Sequence, residues 1–321
     1  MKIFSGTNYK SLTESLIVEL KENGYDIEPG QLKIDKFSDG EILPCFKESI
    51  RDLDIFFINS SDSSDSIMET LLVVDAAKRA GCKSFTLVSP YSGYSRQDKT
   101  DHLRSSIGSK LLADMFEKAG VNRLLTIDLH SSSIQGFYNF PVIHLNGNVV
   151  SIDYIKSLSL DNLCIVAPDQ GAVKRASDFC KAFPEATFAL INKRRVKPNE
   201  IHSMDLVGEV VGKNIIIVDD MADTLGTMAK ASELLIQNGA VSVRCVATHG
   251  ILSGNALINL KNSKIEEVIV IDTLDSVYQK SEKFKFQYDE QRIKIISCSR
   301  LLAKSILALI EKKSIHEINN I

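Results

Sequence analysis

Long hydrophobic runs are missing from this 321-residue sequence, whose longest aliphatic stretches, such as 215–218 and 306–310, span four or five residues. Since a membrane-crossing helix needs about 20 apolar residues, we expect no transmembrane span. A charge excess is also missing, because 38 basic and 41 acidic residues leave a net charge of −3. No overall field therefore draws the protein to nucleic acid or to an anionic membrane, and an anionic ligand must be held by a local site.

Cysteine has no metal-binding or disulfide pattern here. The six cysteines are scattered, mostly among apolar neighbours, and show no CxxC spacing. This distribution predicts buried thiols in a reducing cytoplasm. The first residues run directly into a predicted strand without an apolar signal region, so we expect no export signal. Hydrophobic residues at 44% and charged residues at 25% exclude a disordered chain, and the length suits about two domains.

Short apolar runs alternate with segments of helical period, which predicts an α/β protein with mainly parallel sheets. The predicted strands are 2–5, 32–37, 54–59, 84–89, 123–128, 163–167, 187–192, 214–219, 241–247 and 267–272. The predicted helices are 10–22, 66–80, 107–119, 148–157, 171–181, 226–238, 254–261 and 299–312. We place a domain boundary between 146 and 147, giving domains 1–146 and 147–321.

The strongest chemical signal is the segment VDDMADTLGT at 218–227. A buried strand ends in Asp219 and Asp220, and a loop with two threonines and a glycine leads into a helix. Ligands of open α/β sheets bind at the carboxyl ends of strands, and a helix N-terminus favours phosphate. The two carboxylates need sugar hydroxyls, a cation or basic side chains to offset their repulsion. The alternative is that Asp223 and Thr224 are ordinary helix caps.

Two further signals lie at predicted strand ends. The segment KRRVK at 193–197 places four cations directly after a strand, which suits a polyphosphate. The alternatives are a solvated hairpin and a patch like a nuclear-import signal. His130 and Asp169 each follow a strand and can share a Mg²⁺ with phosphate oxygens, since Mg²⁺ takes only one or two protein ligands. A lone histidine at a strand end is otherwise a hydrogen-bonded structural residue.

Two N-terminal segments add candidate binding groups. FSDGE at 37–41 offers an aromatic face beside two acceptors, which suits a nucleobase, with a polar turn as the alternative. The loop that begins at 91 is rich in Gly, Ser and charged residues, and its Arg96 can reach a phosphate. The alternative for this loop is a solvated connection.

Together, FSDGE (37–41), PYSGYSRQDK (90–99), DLH (128–130), APD (167–169), KRR (193–195) and VDDMADTLGT (218–227) resemble the ribose-phosphate pyrophosphokinases, also called phosphoribosyl pyrophosphate synthetases. The motifs stand in that family's order and at its spacing. The resemblance implies two stacked domains of phosphoribosyltransferase type, each a mainly parallel sheet flanked by helices. It also implies transfer of the β,γ-diphosphate of Mg·ATP to the anomeric hydroxyl of ribose 5-phosphate, with AMP as the second product.

The resemblance also implies roles for individual residues. The ribose 5-phosphate residues are Arg195, Asp219, Asp220, Asp223, Thr224, Leu225, Gly226 and Thr227. The catalytic pair is Lys193 and Arg195, with Lys193 stabilising charge on the transferring group. The ATP residues are Phe37, Asp39, Gly40, Glu41, Arg96 and Gln97, the latter two in a flexible loop at 91–106. The Mg²⁺ ligands are His130 and Asp169. The family further implies a homo-oligomer, commonly a hexameric ring built from dimers, activated by inorganic phosphate and inhibited by ADP.

The sequence departs from the family at several positions. Leu225 stands where a small residue is usual, and Ser92, Ser105 and Ser106 replace other common residues. The serine-rich C-terminal segment of the family is replaced here by 313–318. Ser49, Arg51 and Arg104 match other positions of the family's allosteric site, so phosphate activation is expected while the ADP response stays open.

Two alternatives to an active diphosphokinase remain. A catalytically silent regulatory subunit would show damage to Lys193, Arg195, His130 or the loop at 219–227, and the sequence shows none. A simple phosphoribosyltransferase would share the acidic loop but lack the 37–41 and 96–98 elements, and it would have about half the length.

Overall fold

A computed structural model describes residues 1–100, 102–197 and 200–319, and for 193–197 and 200–204 it describes the strands without the side chains. The described chain divides into two units, Met1–Asn146 with Ser299–Asn319, and Gly147–Cys298. The sequence division assigned the last segment to the second domain. It joins the first unit because its long helix is apolar and packs on the first helix of the chain.

The secondary-structure elements follow one another in three stretches of the chain. The first contains β1 (Lys2–Ser5), α1 (Lys10–Glu22), β2 (Leu32–Lys36), β3 (Ile42–Phe46), β4 (Asp54–Ile58), α2 (Ser64–Arg79), β5 (Ser84–Ser89), α3 (Gly108–Ala119), β6 (Arg123–Ile127), a 3₁₀ helix (Ser132–Phe137) and β7 (Val142–Leu145). The second contains α4 (Asn148–Ser157), β8 (Leu163–Ala167), a 3₁₀ helix (Gln170–Ala172), α5 (Val173–Cys180), β9 (Thr187–Lys197), β10 (Glu200–Val207), β11 (Asn214–Ala222), α6 (Gly226–Gln237), β12 (Ser242–Gly250), α7 (Ala256–Asn262), β13 (Glu267–Ile271), α8 (Ser276–Tyr288) and β14 (Ile293–Ile296). The third contains α9 (Ser299–Ile310) and α10 (His316–Asn319).

The first unit is built on a five-stranded parallel sheet with the order β1-β4-β5-β6-β7. Its core contains Phe4, Phe57, Phe85 and Phe116, each nearly inaccessible to solvent. Strands β2 and β3 form a separate antiparallel hairpin that packs against α2. The turn of this hairpin, residues 37–41, is exposed.

The second unit is built on a seven-stranded sheet with the order β10-β9-β8-β11-β12-β13-β14. All neighbours pair in parallel except β9 and β10, which are antiparallel. Alternate residues of β11 pack into two different cores: Ile215 and Ile217 on one face, Ile216 and Val218 on the other. A strand buried on both faces needs a continuous apolar run, which explains the sequence of β11.

The prediction of an α/β chain with mainly parallel sheets flanked by helices is confirmed. Four strands were missed, namely β3, β7, β10 and β14. Strand β3 contains Pro44, which normally interrupts strands but is tolerated in a two-stranded hairpin, and β14 has only four residues. Helix α8 was also missed because it is largely polar, with only Val277 and Phe284 buried. No helix in the described ranges is both long and apolar enough to cross a bilayer.

Candidate active site

The acidic segment begins at the carboxyl end of β11. This strand extends beyond the predicted end at 219, because β11 continues to pair with β12 as far as Ala222 and Gly250. Asp219 is half-buried and Asp220 is buried, and the Asp220 N–H donates to Asp219 Oδ1 at 2.9 Å. The two carboxylates therefore lie at the strand end where open α/β sheets bind their ligands.

The electrostatics of this strand end are unfavourable to two ionised carboxylates. Burial raises the pKa of the Asp219 carboxyl, and the neighbouring Asp220 carboxylate raises it further. Asp169, after β8, adds to the same effect, so the fold brings its charge toward Asp219. Three acidic side chains thus concentrate negative charge that hydroxyl donors or a cation would relieve.

The loop from Asp223 to Leu225 is fastened to the segment that follows β12. The Ser253 hydroxyl donates to Asp223 Oδ1, and the Ser253 N–H donates to the Asp223 carbonyl at 3.1 Å. Asn259, on α7, donates from Nδ2 to the Thr224 carbonyl at 2.8 Å. Neither role could be predicted from the sequence, because Ser253 and Asn259 are distant along the chain and no motif marks them.

Helix α6 begins without a side-chain cap. Its N-cap is Leu225, whose aliphatic side chain cannot accept a hydrogen bond from the first turn. The first N–H groups of an uncapped helix need an acceptor from elsewhere, and a phosphate is well suited to them. The loop and the helix start are therefore compatible with phosphate binding, which stays a prediction for Thr224, Gly226 and Thr227.

Leu225 occupies a left-handed backbone conformation, with φ of 58° and ψ of 1°. This region costs a leucine roughly 1–2 kcal/mol relative to glycine. The side chain is only 3% exposed and belongs to the core that contains Ile215 and Ile217. Apolar burial therefore offsets the backbone strain, which explains how a large residue is accommodated where the family usually has a small one.

We expect Leu225→Gly to be more stable than Leu225→Ala by about 1 kcal/mol, the reverse of the usual order in regular structure. Both variants lose the buried side chain and should be less stable than the wild type by about 2–5 kcal/mol. Urea unfolding of the three proteins measures this difference. An alanine variant at least as stable as the glycine variant would contradict the strained conformation.

Asp169 lies directly after the predicted strand end, as expected. Its Oδ1 accepts from the Ala172 N–H at 3.2 Å, which caps the short 3₁₀ helix that follows β8. A carboxylate offers about four acceptor positions, so this cap is compatible with binding a cation through the other oxygen. His130 is exposed and follows β6 in the first unit, whereas Asp169 belongs to the second unit.

The basic segment 193–197 is part of a strand rather than a loop. Strand β9 pairs with β8 only as far as Leu190, and it then continues to Lys197 paired with β10. The expectation that the strand ends at 192 is therefore wrong, because β10 supplies a pairing partner that the sequence analysis did not foresee. The side chains of Lys193 and Arg195 lie outside the described residues.

The turn at 37–41 joins β2 and β3 and is exposed. Phe37 is 54% exposed, and the Gly40 N–H donates to its carbonyl at 2.9 Å. Asp39 accepts from the Glu41 N–H at 3.1 Å, and Gly40 has a φ of 97°, which favours glycine. The turn thus presents an aromatic ring and two carboxylates to solvent, the groups expected to receive a base.

Arg96 and Gln97 line a groove of about 360 Å³ in the first unit. The other lining residues are Ser61, Asp62, Ser63, Ser64, Tyr91, Gly93 and Tyr94. The start of the loop is fixed to the segment after β4, because the N–H groups of Tyr91 and Gly93 donate to the hydroxyls of Ser60 and Ser61. The polar groove is compatible with phosphate binding, while the flexibility of the loop stays a prediction.

The three allosteric candidates are all exposed. The Arg51 side chain lies against Gly81, and Arg104 has a left-handed φ of 67°. No hydrogen bond or ion pair among the described residues joins Ser49, Arg51 and Arg104 to one another. Likewise, the described part of the chain contains no group of three or more His, Cys, Asp or Glu side chains arranged for a metal ion.

Comparison with known proteins agrees with this architecture. The model of the N-terminal domain of ribose phosphate pyrophosphokinase matches residues 1–120, and that of the phosphoribosyl synthetase-associated domain matches 185–319. The ribose-phosphate pyrophosphokinase of Porphyromonas gingivalis is 39% identical over 98% of this chain and 96% of its own. That of Aquifex aeolicus is 41% identical over 99% and 98%.

A solved structure extends the likeness to three dimensions. The crystal structure of phosphoribosylpyrophosphate synthetase from Mycobacterium smegmatis matches with a TM-score of 0.86 and 33% identity, covering 97% of this chain and 99% of that one. The two family-model matches and this solved structure define the class as an enzyme that forms phosphoribosyl pyrophosphate. Within that class, the chain belongs to the ribose-phosphate pyrophosphokinase family.

Proposed function

We propose that the protein transfers the β,γ-diphosphate of Mg·ATP to the C1 hydroxyl of ribose 5-phosphate, giving phosphoribosyl pyrophosphate and AMP for nucleotide biosynthesis. The observation that carries this proposal is the acidic end of β11 followed by an uncapped helix start in a chain of this family. The proposed 5-phosphate site consists of the helix start and its loop, residues 223–227. Asp219 and Asp220 accept hydrogen bonds from the ribose hydroxyls, which relieves their mutual repulsion.

The ATP side of the proposal uses the first unit. Arg96 and Gln97 contact the phosphates from their polar groove, and the exposed Phe37 stacks on adenine with Asp39, Gly40 and Glu41 beside it. In the proposed oligomer, a homohexamer built from dimers, this turn reaches a neighbouring copy. Lys193 and Arg195 supply positive charge to the transferring group, since diphosphoryl transfer depends chiefly on positioning and on electrostatic stabilisation.

Mg²⁺ is the proposed cofactor, and Asp169 and His130 are each proposed as ligands because of the family resemblance. Asp169 provides a carboxylate and His130 an exposed imidazole, in keeping with the one or two protein ligands that Mg²⁺ usually takes beside phosphate and water. When bound, the cation neutralises charge on the ATP phosphates. Within the protein, the cap on the 3₁₀ helix orients the Asp169 carboxylate. A reducing cytoplasm as the location agrees with cysteines that are all free.

The decisive experiment measures AMP release from Mg·ATP with and without ribose 5-phosphate. It is run at zero and at millimolar inorganic phosphate, and ADP is then titrated into both reactions. AMP formation that depends on ribose 5-phosphate supports the proposal. Its response to phosphate and ADP tests whether the regulation that the family resemblance implies is present. A folded protein that releases no AMP under any condition would instead be a silent regulatory subunit.

A further inference from the structure

The turn that follows β6 is strained and buried at its base. Asp128 has a φ of 39°, outside the common regions for a non-glycine residue, and is 6% exposed. Leu129 is 2% exposed, whereas the next residue, His130, is exposed. Strained backbone persists only where the surrounding structure holds it. The direction in which His130 leaves the sheet therefore depends on what fixes Asp128 and Leu129.

Strand β7 supplies two contacts that hold this turn. The Leu129 N–H donates to Nε2 of His144 at 2.9 Å, and the Asp128 N–H donates to the Leu145 carbonyl at 3.0 Å. Because Nε2 accepts a hydrogen bond, the imidazole carries its proton on Nδ1. The sequence analysis attached no role to His144. His144 pairs with Thr126 in the β6–β7 register, which places its ring within hydrogen-bond distance of the turn.

Strand β7 is held in turn by the C-terminal segment. The Asn319 side chain donates from Nδ2 to the His144 carbonyl at 2.9 Å, and its Oδ1 accepts from the Asn146 N–H at 3.1 Å. These two groups lie on the edge of β7 that faces away from β6. The backbone of His144 is thereby fixed on one side while its ring holds the turn on the other.

We infer that His144 is a positioning residue for His130: its Nε2 fixes the strained 128–129 turn and so aims the His130 imidazole at the Mg²⁺ of Mg·ATP. This inference rests on the proposed metal role of His130. It assigns to His144 no contact with the metal or the substrates. The expected consequence of losing the Nε2 acceptor is weaker metal binding rather than loss of the fold.

The pair His144→Gln and His144→Asn tests the inference. The glutamine amide oxygen can occupy the place of Nε2 and accept from Leu129, whereas the shorter asparagine reaches only the place of Nδ1, which lies 3.4 Å from the Gln135 amide. We expect the Mg²⁺ concentration for half-maximal AMP formation to rise about 10-fold in the asparagine variant and less than about 3-fold in the glutamine variant. Equal shifts in both variants would overturn the inference.

A binding measurement without turnover separates the possible failures. Water-proton relaxation with Mn²⁺ and ATP, in the absence of ribose 5-phosphate, reports metal held on the protein. We expect weaker Mn²⁺ binding in His130→Ala and His144→Asn, and near wild-type binding in His144→Gln. Wild-type binding in His130→Ala would remove the metal role of His130 and this inference with it. Loss of Mn²⁺ binding in His130→Ala but not in His144→Asn would overturn this inference and leave the metal role of His130 in place.

Discussion

Lys193→Ala is expected to lower kcat by about 10²-fold or more with little change in the KM for ribose 5-phosphate. The negative charge of the diphosphoryl group shifts during transfer, and a cation placed to meet it acts mainly in the transition state. Lys193 lies on the part of β9 that continues beyond β8, paired with β10. That segment leaves the carboxyl edge of the sheet, the same edge at which the acidic strand end lies.

Steady-state kinetics of AMP formation measure this effect. Lys181→Ala is the matched control, because Lys181 is a surface lysine of the same unit that pairs only with Asp178 among the described contacts. The control should retain wild-type kcat. Near-normal turnover in Lys193→Ala would show that this lysine has no part in the transfer, and a rise in KM alone would indicate a role in binding instead.

Asp219→Asn is expected to have opposite effects on binding and on stability. The KM for ribose 5-phosphate should rise about 10-fold or more, because a hydrogen bond to a carboxylate contributes roughly 1.5–3 kcal/mol. The free energy of unfolding of the ligand-free protein should increase, because the substitution removes the Asp219 carboxylate, whose ionised form burial and Asp220 disfavour. Asparagine keeps an oxygen to accept from the Asp220 N–H, so the local hydrogen bond is preserved.

The stability gain depends on pH with a definite sign. The pKa of Asp219 is raised in the folded state, so ionisation of this carboxyl lowers the free energy of unfolding of the wild type. The loss begins above the unfolded pKa of about 4 and increases until the pH passes the folded pKa. The free energy of unfolding of Asp219→Asn should therefore match that of the wild type near pH 4 and exceed it by about 1–2 kcal/mol at pH 7 and above, with a correspondingly higher Tm. Thermal unfolding across pH measures this gain, with Asp153→Asn as control, because Asp153 is an exposed carboxylate of the same unit. A lower Tm at pH 7 would contradict the repulsion argument.

The parts of the fold that the sequence predicted are those with strong local signals. Strand β11 could be recognised because a strand buried on both faces needs an unbroken apolar run. Strand β10 could not be recognised, because its existence depends on pairing with the extended end of β9. Helix α8 shows only two buried positions, too few for a readable period. The grouping of Ser299–Asn319 with the first unit is a long-range contact that no local pattern encodes.

The residues of the candidate site likewise include some that the sequence predicts and some that it does not. The acidic strand end and the phosphate loop are contiguous in the sequence, and their residue types indicate the chemistry directly. Ser253 and Asn259 fasten that loop from 30 and 35 positions away, and His144 supports a turn 15 positions before it. Their roles depend on register and packing. The backbone strain at Leu225 could not be predicted either, because the sequence shows an unusual side chain at this position but not its positive φ.

The Asn319 carboxamide gives strand β7 the equivalent of one peptide group from a neighbouring strand. Strand β7 is the last strand of its sheet within the described residues, and such an edge has outward N–H and C=O groups that can recruit a strand from another molecule. A single side-chain amide that donates to one of these groups and accepts from another occupies both. The C-terminal segment thereby protects the sheet edge against unwanted strand addition, at the strand on which the turn before His130 depends.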